Sequence, residues 1–185
     1  MRSVNIANIK IRENCNDTPP YIINLMDRDN IETDTVDILS YLTVEGFNYY
    51  LDRISGRFFS LNIPTRHETP QLYFVMQDDM KYMKIGISKT PLERLRGLQT
   101  GNPIKLKLLF YYDPVEYYKD SVFIDDFGLD AFGHEKNKLR WYRGNIPIEN
   151  EASGEWIVPD NRCFRILIRE GLFLLEWYHA RQNNL

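Results

Sequence analysis

The sequence predicts an α+β fold, a small antiparallel sheet flanked by helices and preceded by an N-terminal accessory module. Three observations predict it. Two short apolar runs, LYFVM (72–76) and MKIGIS (83–88), are separated by the polar QDDMKY, the spacing of an antiparallel hairpin. A helical pattern opened by Thr90-Pro91 then stops at Thr100-Gly101-Asn102-Pro103 and gives way to the strand-like IKLKLLFYY. Upstream of all this, the Pro64 to Pro70 stretch interrupts any regular element. It sets a boundary between an accessory module (1–68) and a main domain (69–160), which a C-terminal helix (161–185) closes.

Within the module, Val4, Ile6, Ile9 and Ile11 predict an edge strand. Val36, Leu39 and Leu42 follow at helical spacing behind acidic residues, which predicts a short helix from Thr35. Thr43 is placed to cap a second helix with Phe47, Tyr50, Leu51 and Ile54 on one face, and SGRFFSLNIP then reads as a turn into a strand. This order resembles the winged helix-turn-helix modules of excisionase and MerR-type proteins over residues 35–66. Such a module would meet DNA through Arg53, Arg57 and Arg66.

In the main domain, Leu92, Leu95 and Leu98 line one face of the Pro-opened helix, with Arg94 and Arg96 off it. The third strand becomes continuously apolar, as a strand covered on both faces does. One long helix is expected from about Val115 to Leu139, then a loop, the strand GEWI, and an amphipathic helix from Asn161.

Composition narrows the function. Apolar residues are 43% of the chain and aromatics 14%, enough to close a core and too many for a disordered protein. The two cysteines, Cys15 and Cys163, form no CxxC pair, which excludes zinc sites of the usual spacing. The N-terminus has no apolar core of a signal peptide, and the longest apolar run, Gly171 to Tyr178, is far too short to span a bilayer. A cytoplasmic protein with no membrane partner is therefore expected. That same run carries more apolar surface than one helix face needs, which raises a homodimer as a further expectation.

The charge is distributed unevenly. The whole chain carries 26 acidic against 23 basic residues, a net charge of −3. Between Lys81 and Lys107 the balance reverses, with Lys81, Lys84, Lys89, Arg94, Arg96, Lys105 and Lys107 against Glu93 alone. A local basic patch of this contrast suits a phosphate backbone, with Lys89, Arg96 and Lys105 as nucleic-acid contacts.

LYFVM, KIGIS, ERLRGLQTGNP, an acid-bearing helix and GEWI together resemble the GIY-YIG nuclease superfamily, in its small phage and bacterial branch whose second motif reads KIG. The resemblance covers about residues 72–158, and KIGIS followed by ERLRGLQTGNP is its most specific part. It implies a metal-dependent endonuclease acting on DNA, with one Mg²⁺ or Mn²⁺ ion. The first-motif tyrosine falls on Tyr73, with Phe74 as the alternative. Neighbouring strand residues face opposite sides, so only one enters the site, and the hydroxyl favours Tyr73. Lys84 takes the place of the second-motif tyrosine and Arg94 that of the helix arginine. In such a site Tyr73 handles the attacking water, Lys84 assists it or holds a phosphate oxygen, and Arg94 stabilises the charge on phosphorus.

The resemblance also implies a carboxylate ligand on the helix after the third strand. That helix offers Asp125, Asp126, Asp130, His134 and Glu135. Asp126, Asp130 and His134 share one face at i, i+4 and i+8, and Asp130 to His134 reproduces the family's acid-to-histidine spacing, so these three are the metal candidates. Aspartate stands there in place of the usual glutamate. The departure keeps open a second reading, a catalytically silent fold that binds DNA or a protein partner, as a phage regulator or inhibitor would.

Overall fold

The computed structural model describes residues 10–11, 21–22, 42–61, 63–64, 66–120, 130–144 and 156–183. Two two-residue strands, β1 (Lys10–Ile11) and β2 (Tyr21–Ile22), pair antiparallel with each other. The expected edge-strand residues Val4, Ile6 and Ile9 lie outside the described residues, as does the expected first helix apart from Leu42.

Helix α1 (Val44–Ser60) is capped as expected, the Thr43 hydroxyl accepting from the Gly46 amide at 3.2 Å. Its C-terminal half corrects the sequence reading. SGRFFS is helical, not a turn, because Phe58 continues the Phe47, Tyr50, Leu51 and Ile54 stripe into the core. Burial of that ring outweighs the cost of Gly56 in a helix interior, up to about 1 kcal/mol. The helix shares one apolar core with the sheet, and its Ser55 hydroxyl donates to the Leu108 carbonyl at 3.1 Å.

Four strands form the main sheet in the order β5-β3-β4-β6, every neighbouring pair antiparallel. β3 (Gln71–Gln77) and β4 (Met83–Ser88) make the expected hairpin. β3 is buried at every position, as a central strand covered on both faces must be. β5 (Leu106–Tyr112) pairs with its outer side, and β6 (Trp156–Ile157) adds two residues against Met83 and Lys84.

Helix α2 (Pro91–Thr100) leaves β4 after two residues, the Thr90 amide donating to the Ser88 hydroxyl at 3.1 Å. The LQTGNP segment then knits the return to β5. Gln99 donates to the carbonyls of Asn102 (2.9 Å) and Ile104 (3.0 Å) and accepts from the Leu106 amide (2.7 Å). The Asn102 carboxamide oxygen accepts from the Ile104 amide at 3.0 Å. Much of that motif therefore holds the loop that fixes α2 on the sheet.

Among the described residues, the single long helix expected from about Val115 to Leu139 is represented by two helices. α3 (Pro114–Asp120) is capped by Asp113, which accepts from the Val115 and Glu116 amides at 2.9 and 3.1 Å. α4 (Ala131–Gly144) begins afresh after Asp130. Helix α5 (Asn161–Asn183) absorbs its apolar run within the chain. Gly171 lets Ile54 and Phe110 approach so closely that a Cβ there would lie 2.6 Å from Ile54 Cγ2. Trp177 meets Tyr117 edge-on and Tyr178 meets Phe58, at centroid distances of 5.4 and 5.7 Å. No helix among the described residues is long and apolar enough to cross a membrane.

Candidate active site

Tyr73 and Phe74 point to opposite faces of β3, and their neighbours distinguish them. Phe74 packs into an aromatic core with Phe110 and Tyr142, at centroid distances of 4.8 and 6.2 Å. Tyr73 lies across its register partner Gly86, and a Cβ on that glycine would fall 2.5 Å from the Tyr73 hydroxyl. The glycine of KIG is thus the seat of the tyrosine ring. It is Tyr73 that enters the site.

Lys84 shares the Gly86 face of β4, two residues away, and is only 3% exposed. Its ammonium lies 6.0 Å from the centroid of the Trp156 ring on β6. Arg94 comes from the first turn of α2, whose start the short β4–α2 connection fixes. From an exposed position it acts on Tyr73, favouring loss of the phenol proton. The fourth member is Glu135 on α4. The Ile87 backbone and Lys84 both favour its carboxylate form, and its charge is felt by both Tyr73 and Lys84.

Burial tunes this group. It raises the Tyr73 phenol, against the hydrogen bond and charge of Arg94. Burial, with Arg94 adding to it, lowers the Lys84 ammonium against the pull of Glu135. Burial likewise raises the Glu135 carboxyl more than Lys84, the Ile87 amide and Lys136 lower it. A lysine made easier to deprotonate beside a carboxyl made easier to protonate brings the proton affinities of the two groups closer together.

Of the metal candidates read from the sequence, the structure describes Asp130 and His134. Asp126 lies outside the described residues. Asp130 is exposed and caps α4, accepting from the Gly133 amide at 2.8 Å. Because α4 starts after it, no continuous helix carries its phase to the residues upstream. His134 is buried with its ring flat on Tyr118, at 4.6 Å and 6°. Glu135 is the residue that the spacing argument passed over, since the acid-to-histidine interval pointed to the residue before it. Its signal was a different stripe: Glu135, Lys138 and Tyr142 fall at i, i+3 and i+7.

Among the described residues no group of three or more His, Cys, Asp or Glu side chains could cage a metal ion. A lone Glu135 carboxylate does fit a hard divalent ion of the Mg²⁺ kind, which keeps much of its shell as water and substrate phosphate oxygen. Around the site, Lys89, Arg96 and Lys105 are exposed as a phosphate-contacting patch requires. Lys107 is spent on ion pairs with Asp78 (2.7 Å) and Asp52 (3.1 Å), so the patch is less basic than the sequence count.

Comparison of the chain with family models, with curated proteins and with solved structures gave no match.

Proposed function

We propose that this protein is a metal-dependent endonuclease of the GIY-YIG type that hydrolyses DNA phosphodiester bonds in the cytoplasm. The observation that carries the reading is that Tyr73 and Lys84, on neighbouring strands, each feel both Arg94 of α2 and Glu135 of α4. Structural packing alone has no need to bury two ionisable side chains beside a second cation.

Each residue has a role its environment suits. Tyr73 keeps its proton and orients the attacking water through its hydroxyl. Lys84, its ammonium weakened by burial and by Arg94, is suited to take the proton that the water loses. Arg94 presents a guanidinium fork to the phosphate oxygens on which charge accumulates. Glu135 is the carboxylate that would hold a divalent ion, which when bound supplies Lewis acidity at the phosphate and neutralises the leaving oxygen. Lys89, Arg96 and Lys105 contact the flanking DNA backbone, independently of base sequence.

The test is incubation of supercoiled and single-stranded DNA with the protein and Mg²⁺ or Mn²⁺, beside Arg94→Ala and an EDTA control. Nicking that needs the metal and is lost with Arg94 supports the proposal. DNA retention without cleavage, weakening as salt rises, replaces it with a silent binding fold.

A further inference from the structure

Helix α4 carries Glu135 into the site, and its remaining inward stripe is tied to a second buried polar cluster. Glu170 on α5 is the centre of that cluster and is 8% exposed. Its Oε1 accepts from the Tyr112 hydroxyl of β5 at 2.6 Å and pairs with Lys138 Nζ of α4 at 2.9 Å. Its Oε2 accepts from the Tyr142 hydroxyl, one further turn along α4, at 3.3 Å. The Lys138 ammonium also lies 5.7 Å from the centroid of the Tyr118 ring, on which His134 stacks.

The phase of this arrangement is informative. A helix on a sheet can rotate about its axis or slide along it, and apolar packing resists both only softly. Two directional bonds from Lys138 and Tyr142 to one carboxylate, itself bonded to a strand through Tyr112, fix both rotation and height. Glu135 lies three residues before Lys138 on the same stripe, so the same bonds fix where its carboxylate sits relative to Lys84 and the Ile87 amide.

We infer that Glu170 is a positioning residue for the active site: by clamping Lys138 and Tyr142 it sets the rotation of α4 and thereby holds Glu135 in place. The inference deepens the nuclease reading and rests on it for the consequence to cleavage, but the geometric claim stands or falls without metal or DNA.

The experiment uses the full chain. The backbone amide of Ile87, which acts on the Glu135 carboxyl, is followed by ¹H–¹⁵N NMR at fixed pH without metal, in the wild type, Glu135→Gln, Glu170→Gln and Tyr142→Phe. Mn²⁺ affinity is measured on the same proteins by electron paramagnetic resonance. Positioning predicts that Glu170→Gln moves the Ile87 resonance in the direction that Glu135→Gln moves it, while β3 amides stay in place. It also predicts Mn²⁺ binding weakened by about 10-fold or more, the size usual for a residue supporting a metal ligand. Tyr142→Phe, which removes one bond and keeps the ring, shifts both in the same sense by less, and carries the test should Glu170→Gln fail to fold. A folded Glu170→Gln with lowered stability and an unmoved Ile87 resonance overturns the inference, because that is what a purely structural hub would do. A wild type that neither binds Mn²⁺ nor cuts DNA, yet whose Ile87 resonance responds to Glu170→Gln, overturns the nuclease reading and leaves the clamp standing.

Discussion

Lys84 of β4 is buried and Lys138 of α4 is largely so, and each lies near a glutamate, yet burial leaves them in opposite states. At Lys138 the desolvation that would lower the ammonium is more than reversed by the charges and hydrogen bonds of Glu170 and Tyr118, so its proton is held more tightly than usual. At Lys84 desolvation wins, Arg94 adds a like charge, and Glu135 compensates only in part. One cluster is a closed ion pair whose donors and acceptors match. The other sets Lys84 beside Arg94 and Glu135, with desolvation and not the carboxylate deciding the state of the lysine. The difference teaches where to look for function: in the buried charge that its surroundings loosen, not in the one they tighten.

The largest effect should come from breaking the closed cluster. Glu170→Ala leaves Lys138 buried without its carboxylate and is expected to cost about 3–5 kcal/mol of unfolding free energy, read from urea denaturation. An effect below 1 kcal/mol would mean that water reaches the cluster and that the contrast is false. Next is Arg94→Ala, with a cleavage rate lower by about 10²–10³-fold, or roughly 2.7–4 kcal/mol in the barrier, at nearly unchanged stability. Removing a cation from a strained group should not unfold it. Loss of stability comparable to that of Glu170→Ala would make the two clusters equivalent.

Gly86→Ala sets the two kinds of cost against each other at one atom. The new methyl would meet the Tyr73 hydroxyl and Cζ at 2.5 and 2.6 Å, so the ring must move. A destabilisation of about 1–3 kcal/mol is expected, with cleavage reduced further than stability alone explains. Wild-type cleavage in this variant would show that the Tyr73 position is immaterial.

A smaller effect separates the clusters by pH. Burial first, then the charge of Glu170, raises the phenols of Tyr112 and Tyr142 well above their ordinary value of 10.0. The folded state therefore holds protons that the unfolded chain releases. Stability from these groups is unaffected below pH 10.0 and falls as pH rises past it. Tyr142→Phe should make that alkaline fall shallower by up to about 1.4 kcal/mol per pH unit in denaturation at pH 10–11. An unchanged slope would contradict the burial of Tyr142.

Much of the architecture was legible in the sequence because it is written locally. The LYFVM and KIGIS runs, the Thr90-Pro91 start and the TGNP stop each carry their own backbone chemistry, and the hairpin, α2 and β5 follow from them. The end of α1 was not, because Gly56 and Arg57 read as a turn until Phe58 is known to have a core to enter. Gly56→Ala, with nothing within 4 Å of the added carbon, should stabilise the protein by up to about 1 kcal/mol, the smallest change expected here. For the candidate site, Tyr73, Lys84 and Arg94 came from the resemblance to the GIY-YIG motifs, and the structure puts Tyr73 and Lys84 on adjoining strands beside Arg94. Glu135 was not legible, since its selection depends on where α4 begins and how it is rotated, and Asp130 and Glu170 decide both from outside the motif. Asp130, chosen for its spacing, is used by the fold as a cap.

The most direct measurement is metal-dependent nicking of supercoiled DNA by Glu135→Gln beside Asp130→Asn. With Glu135 as the carboxylate of the active site, the first substitution abolishes nicking while the second leaves the rate within a few-fold of wild type. Loss of nicking in Asp130→Asn with retention in Glu135→Gln would contradict the account.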